Sequence, residues 1–189
     1  MKKLRTKNLN TLEYWEEFFT IKRKPSRFNK MAFHDRGEVI INTIIGELSK
    51  EDSILDVGAG LGAIIRQCLA KKKDLKFTAA DFSPNGIKYI KEELKIPAYV
   101  ADITKELPFA DNSFDVVICA ETLEHLEDPL SALEKLKRIA RKKVIVTVPY
   151  DENIIDRIIS TSHLWSFSEK DFKGRVVKQN PFMVCILKI

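Results

Sequence analysis

The spacing of apolar and polar positions changes character along the chain. Residues Thr11-Leu12-Glu13-Tyr14-Trp15-Glu16-Glu17-Phe18-Phe19 repeat at helical spacing and predict a short amphipathic helix opened by Asn10 or Thr11. The stretch Lys22-Arg23-Lys24-Pro25-Ser26-Arg27 breaks it, and a second helix is predicted over about 35–48. From there the pattern becomes regular. Short apolar runs predict strands at 53–57, 76–81, 98–102, 114–120 and 143–148, and helical spacing predicts helices at 63–72, 84–95 and 129–138.

Strands that alternate with helices imply right-handed βαβ units and a mostly parallel sheet. The end of the chain differs. Residues 175–178 and 182–187 read as strands separated only by Gln179-Asn180-Pro181. That gap is too short for a crossover, so these two strands must be antiparallel. The predicted fold class is α/β, a Rossmann-like three-layer arrangement whose sheet closes in a C-terminal antiparallel hairpin. The chain divides into an N-terminal helical cap or lid segment over 1–34 and one domain over 35–189.

Composition narrows the class. The chain has 189 residues, 44% of them hydrophobic and 31% charged, which suits a globular domain with a real core rather than a disordered chain. No apolar run is long enough to span a bilayer, and no apolar h-region follows Met1-Lys2-Lys3-Leu4-Arg5, so neither a membrane partner nor a signal peptide is expected. Cys68, Cys119 and Cys185 are scattered among apolar neighbours and form no C-x-x-C pair; buried, reduced thiols in a cytoplasmic protein are expected. The formal charge of +5 permits an acidic partner without requiring one. The basic clusters Lys22-Arg23-Lys24, Lys71-Lys72-Lys73 and Arg141-Lys142-Lys143 could attract RNA, but no nucleic-acid module accompanies them, and solvated faces are the preferred reading.

The candidate chemistry starts at the end of the first strand, in Asp56-Val57-Gly58-Ala59-Gly60-Leu61-Gly62. In a sheet of this kind ligands bind beyond the carboxyl ends of the strands. Gly58, Gly60 and Gly62 let the backbone turn tightly and approach a ligand, and the helix from Ala63 points its free N–H groups there. The loop also satisfies the loose dinucleotide pattern G-x-G-x-x-A. Acids at successive strand ends favour a nucleoside cofactor. Asp81 can accept both hydroxyls of a ribose, Asp102 can reach the edge of an adenine, and Asp56 lies near the seat of a charged amino-acid tail.

With these residues the sequence resembles the class I S-adenosylmethionine-dependent methyltransferases of the type 11 group, over roughly residues 50–189. Leu55 through Gly62 is similar to their first motif, Asp81-Phe82-Ser83 to their ribose-holding acid, and Asp102-Ile103 to their adenine-side pair. The run Leu107-Pro108-Phe109-Ala110-Asp111-Asn112-Ser113-Phe114-Asp115-Val116-Val117 resembles the group's approach to strand four. The resemblance implies a seven-stranded sheet of order 3-2-1-4-5-7-6 and S-adenosylmethionine as cofactor, with S-adenosylhomocysteine as product. It implies a cofactor site of Asp56, Gly58, Ala59, Gly60, Gly62, Asp81, Phe82, Asp102, Ile103, Ala120 and Glu121. The chain departs from the group before strand five, where Ile139-Ala140-Arg141-Lys142-Lys143 stands in place of a Pro-Gly-Gly turn; a changed surface turn is expected.

Strand four leads into Glu121-Thr122-Leu123-Glu124-His125-Leu126. A helical turn starting here would put Glu121, Glu124 and His125 on one face, beside the expected methyl group. His163, in Ser162-His163-Leu164-Trp165, could come over the same pocket. Three readings stand. Glu124 and His125 brace the loop while Glu121 touches the cofactor. Alternatively His125 or His163 serves as a general base, with Glu121 beside it. In the third, Glu121, Glu124, His125 and His163 hold a divalent metal, in a pattern that resembles metal-dependent methyltransferases of quinone precursors and small-RNA ends. Tyr14, Trp15, Phe18, Phe28, Phe33 and His34 give the N-terminal segment an aromatic face that could pack on the sheet or close over the cofactor. The function expected is methyl transfer to an O or N atom of a small-molecule acceptor. The rivals are an RNA methyltransferase, an NAD-dependent oxidoreductase and a non-catalytic partner subunit.

Overall fold

The structure is a computed structural model and describes residues 1–5, 8–22, 37–150, 162–179 and 181–189. Seven strands form the main sheet: β1 (Ser53–Val57), β2 (Lys76–Asp81), β3 (Ala98–Val100), β4 (Phe114–Ala120), β5 (Ala140–Pro149), β6 (Arg175–Gln179) and β7 (Phe182–Lys188). Their spatial order is β3-β2-β1-β4-β5-β7-β6. The first five are mutually parallel. β7 runs antiparallel to both β5 and β6, which gives the expected terminal hairpin.

Buried side chains alternate along each strand and build one core on each face, the period-2 pattern of a sheet covered on both sides. Leu55, Val57, Val117, Cys119, Val144 and Val146 point to one face, where α5 (Pro129–Ile139) packs through Ala132, Leu133, Leu136 and Ile139. Ile54, Val116, Ile118 and Ile145 point to the other. There α2 (Gly37–Gly46), α3 (Ala63–Lys71) and α4 (Pro84–Glu93) supply Ile41, Ile44, Ile65, Cys68, Ile87 and Ile90. The three cysteines are buried and free, and burial pushes the Cys68 and Cys185 thiols up to about 12, so they are packing groups rather than nucleophiles. No helix among the described residues is long and apolar enough to cross a membrane.

Two boundaries differ from expectation. β3 ends at Val100, so Asp102 lies in the loop beyond the strand. β5 begins at Ala140, directly after α5, and the expected surface turn at Ile139 to Lys143 does not exist. Its basic residues work as strand-end anchors instead. Arg141 Nη1 donates to Asp115 Oδ1 (2.9 Å), and Lys142 Nζ to Asp52 Oδ1 (2.8 Å). Lys143 Nζ reaches Glu47 Oε2 (2.9 Å). Likewise Lys71 pairs with Glu38 (3.0 Å), and Lys72 Nζ donates to the Leu48 carbonyl (2.6 Å). These two basic clusters stay on the surface, with Lys71, Lys73, Arg141 and Lys142 exposed, while most of their cations also pair with acids or carbonyls of the fold. Arg23 and Lys24 of the third cluster, with Phe28, Phe33, His34 and the expected start of the second helix, lie outside the described residues.

The N-terminal segment folds back over the carboxyl ends of the strands. Lys2–Lys3 pairs antiparallel with Trp165–Ser166, and α1 (Leu12–Lys22) follows. Asn10 fastens the approach to α1. Its Nδ2 donates to the carbonyls of His125 (3.0 Å) and Ser162 (2.9 Å), from the loops after β4 and β5.

Candidate active site

The glycine loop leaves β1 with Gly58, Gly60 and Gly62 all in the left-handed region, at φ of 76°, 55° and 72°. At Gly58 a Cβ would also lie 2.3 Å from Thr122 Oγ1, so glycine is required for space as well as for conformation. The N–H groups of Gly58 and Ala59 donate to the Ala80 carbonyl of β2 (2.8 and 3.1 Å). Gly60 N–H donates to Asp81 Oδ2 (2.8 Å), and Ser83 N–H to Asp81 Oδ1 (2.9 Å). Asp81 thus ties the loop to the start of α4. Each carboxylate oxygen still has a lone pair for a further donor. No side chain caps the N-terminus of α3, whose Ncap is Gly62, so its first N–H groups face the loop uncapped.

The loop borders a cavity of about 590 Å³, within the size range of small-molecule sites. Val57, Gly58, Gly60, Asp81 and Phe82 line one side, and Ala101, Asp102, Ile103 and Thr104 line another. Asp102 Oδ1 accepts from the N–H (2.9 Å) and hydroxyl (2.7 Å) of Thr104. Burial raises its carboxyl, but the Thr104 bonds and the nearby Lys105 outweigh it and hold the group below its ordinary value. Lys135 Nζ holds this loop by the carbonyls of Ile103 (3.0 Å) and Thr104 (2.9 Å).

α1 closes the cavity from above. Phe19 packs against Gly60, where a Cβ would come 3.1 Å from its ring. The Trp15 ring meets His125 edge to face at 5.0 Å. Between these two, the Glu16 carboxylate sits on the first turn of α4. It accepts from Ser83 Oγ, from Asn85 N–H (3.2 Å) and from Asn85 Nδ2.

The turn after β4 departs from the expected helical face. Glu121 itself adopts φ of 49°, unusual for a residue with a side chain, and the helical turn is a 3₁₀ segment that starts at Leu123. Glu121 Oε1 accepts from Thr147 Oγ1 of β5 (2.7 Å), and its carboxylate lines the cavity. Burial pushes it up to about 7. Glu124 points inward and is fully buried, with neither oxygen hydrogen-bonded. Burial, then the Glu121 charge, holds its carboxyl well above the ordinary range. His125 lines the cavity with Nδ1 at 3.2 Å from the Ser162 carbonyl. A carbonyl only accepts, so Nδ1 carries the ring proton and Nε2 is left as an acceptor. Burial, then His163, pushes His125 down to about 3. The His163 ring lies 4.8 Å from that of His125 and is buried, with Nδ1 unpaired.

The sequence-derived candidates therefore divide. Gly58, Gly60, Asp81, Phe82, Asp102, Ile103, Glu121 and His125 line one cavity. Ala59, Gly62 and Ala120 do not line it; the first two shape the loop from behind. Asp56 is buried at 2% exposure beneath the loop, and burial together with Asp81 pushes it up to about 7. Of the four suggested metal ligands, Glu124, His125 and His163 offer atoms within 4.8 Å of one another; Glu121 turns away to Thr147. The positive φ at Glu121 breaks the helical register that would have aligned it with Glu124 and His125. Residues whose place at the site the sequence left unmarked include Asn10, read there only as a helix opener, Gly86 and Lys135. Gly86 alone had a signal, a glycine inside a helix, and its place is explained by the Gly60 carbonyl, which a Cβ would approach to 2.7 Å.

Comparison with known proteins agrees with this geometry. The family described as a methyltransferase domain, of the type 11 group, matches residues 55–148, about half of the chain. An uncharacterized protein of Methanocaldococcus jannaschii is 35% identical over 154 residues, covering 76% of this chain and 64% of its own. The ubiquinone biosynthesis O-methyltransferase of Nitrosomonas europaea is 34% identical over 106 residues, covering 53% of this chain and 44% of its own. The chain thus spans about half to two thirds of the length of such curated relatives. Among solved structures, a Haloferax volcanii putative methyltransferase in complex with the Trm112 methyltransferase activator superposes with a TM-score of 0.70 at 16% identity, covering 97% of this chain and 99% of the matched one. That likeness speaks to the fold alone. With the ordered glycine loop, the strand-end acids and the hairpin-closed sheet, these matches place the chain in the type 11 group of class I S-adenosylmethionine-dependent methyltransferases.

Proposed function

We propose that the protein transfers a methyl group from S-adenosylmethionine to an O or N atom of a small-molecule acceptor. The observation that carries this reading is the single cavity that joins the glycine loop, Asp81, Asp102, Glu121 and His125. The loop and the uncapped α3 N-terminus take the methionine end, with Asp56 positioning the loop from beneath. Asp81 takes the ribose hydroxyls with its remaining lone pairs. Asp102 and Ile103 border the adenine, and Ala120 and Glu121 flank the sulfonium. Methyl transfer is an in-line displacement in which the C–S bond breaks as the acceptor bond forms, so positioning supplies much of the rate. Nε2 of neutral His125 can accept a hydrogen bond from the acceptor's O–H or N–H and orient it; because burial and His163 hold the imidazole down to about 3, its part is to position that group rather than to carry its proton away. His163 packs behind that ring. α1 is the lid of this arrangement.

Calorimetric titration with S-adenosylhomocysteine, S-adenosylmethionine and NAD tests the reading. Binding of the first two is expected; binding of NAD alone would overturn it.

A second reading has its own observation. Glu124 keeps two buried oxygens without hydrogen bonds beside the unpaired Nδ1 of buried His163. With His125, these could hold a divalent cation, which would supply Lewis-acid activation of an acceptor hydroxyl. The donor set fits such an ion at three positions rather than four. Titration with Mn²⁺ followed by electron paramagnetic resonance separates the readings: a bound signal lost in Glu124→Gln supports the metal, and no bound signal rejects it and leaves Glu124 to brace the loop only through its backbone carbonyl, which accepts from Leu164 N–H (2.7 Å).

A further inference from the structure

We infer that Glu16 is a positioning residue that latches α1 onto the cofactor half of the site, so that the acceptor wall is completed only after the cofactor has bound. The inference rests on the cofactor assignment proposed above.

α1 touches both halves of the cavity. On the cofactor side Phe19 covers Gly60, and Glu16 accepts from Ser83 Oγ and from the backbone and side chain of Asn85. On the other side Trp15, the neighbour of Glu16, packs on His125. A cofactor entering beneath α1 must displace these contacts, and the same displacement removes Trp15 from the acceptor wall.

The latch is well placed to sense the cofactor. Ser83 is fully buried and has two carboxylates on it: its N–H donates to Asp81 and its hydroxyl to Glu16. Glu16 gains from the N-terminal end of the α4 dipole, where an anion is favoured. Its charge also faces Asp81 across the same serine and opposes ionisation of that acid. A cofactor that brings hydroxyl donors to Asp81 draws that carboxylate's charge away from Glu16 and relieves this repulsion, so bound cofactor strengthens the latch. By linkage the closed latch tightens the cofactor by the same factor.

The test uses the full chain and S-adenosylhomocysteine. Its dissociation rate is measured by stopped-flow chase, and the backbone amides of α1 are followed by hydrogen exchange with and without the ligand. In the wild type, the ligand should slow exchange across α1 several-fold. Glu16→Ala should raise the dissociation rate about tenfold and abolish that protection, with an unchanged melting midpoint of the ligand-free protein. Glu16→Gln, which keeps the size and loses the charge, should fall between. An unchanged dissociation rate in both variants, or α1 protection that is indifferent to ligand in the wild type, overturns the latch. Absence of S-adenosylhomocysteine binding to the wild type would instead overturn the cofactor assignment. Should Glu16→Ala fail to fold, the Gln variant alone decides by the same two readouts.

Discussion

The two ends of the parallel strands carry similar numbers of buried acids but treat them in opposite ways. At the amino ends, Asp52 and Asp115 are fully answered. Asp115 accepts from the N–H and hydroxyl of Ser53 (both 3.0 Å) and from Arg141 and Lys142, and these donors hold its carboxyl well below the usual range. Lys142 also pairs with Asp52. At the carboxyl ends, Asp56, Asp81 and Glu121 have no cation paired with them among the described residues, and burial pushes them up to about 7, about 6 and about 7. The first set is electrostatically complete within the chain. The second becomes complete when something positive and rich in donors arrives. An incomplete set at the end of a sheet where ligands bind is the physical mark of a site, whereas a complete one marks a brace.

Exchanging one acid at each end should break the symmetry of their appearance. Asp115→Ala removes four charge-assisted or hydroxyl bonds and should lower unfolding free energy by about 2–3 kcal/mol in urea titration, with S-adenosylhomocysteine affinity unchanged in the folded fraction. Asp56→Asn should do the reverse. At pH 8 the native state must hold an ionised Asp56 away from water, so the amide should leave stability unchanged or raise it, while ligand affinity falls. Equal destabilisation by both variants would erase the distinction between the ends.

A smaller effect is expected from Gly86→Ala. Alanine is the better helix former by about 1 kcal/mol, so a purely local view predicts stabilisation. The added Cβ, however, meets the Gly60 carbonyl at 2.7 Å, and backbone cannot yield as a side-chain tip can. The loop should shift and S-adenosylhomocysteine affinity fall about tenfold, or about 1.4 kcal/mol, with little change in the denaturation midpoint. Undiminished affinity would show that the loop tolerates movement.

The same contrast explains what could be read in the sequence. The sheet, its parallel order and the glycine loop follow local rules: period-2 and helical spacing, and glycines where left-handed backbone is needed. The acids Asp81 and Asp102 follow from the ends of strands. The turn after β4 obeys no local rule. Its left-handed Glu121 is held by Thr147 on β5, and its Glu124 is buried with both carboxylate oxygens unpaired. Asn10 and Glu16 act across more than 60 residues of chain, and nothing in their own neighbourhoods, which mark only a helix and its start, points to those partners. The expected turn before β5 failed for a related reason: Arg141 and Lys142, both exposed, read as turn residues until Asp115 and Asp52 are placed beside them.

The subtlest test of the contrast is the pH dependence of cofactor binding. In the free protein Asp81 sits at about 6 and Glu121 at about 7, both above the ordinary value for a carboxyl because burial disfavours their charged forms. A cationic cofactor favours those charged forms and must lower both values, so binding releases protons wherever the free groups hold them. Affinity for S-adenosylmethionine should therefore rise between about pH 5 and about pH 8, through the values of both free carboxyls, and level off above, by roughly tenfold for each proton displaced over one pH unit. The histidines do not blur this window. His125 at about 3 and His163 at about 4 stay neutral across it. Their lowered values instead cost stability as pH falls below the ordinary histidine range, because the unfolded chain takes up those protons first. Stability thus carries two opposed trends between pH 4 and 7: the raised acids favour the folded state at the acid side and the histidines disfavour it. Affinity carries only the first. Calorimetry at pH 6 in buffers of different ionisation enthalpy should show proton release on binding, and Asp115→Asn should leave that release unchanged because its carboxyl is already ionised in both states. Proton uptake, or release that depends on Asp115, would mean that the two ends of the sheet are not as different as their hydrogen bonds make them.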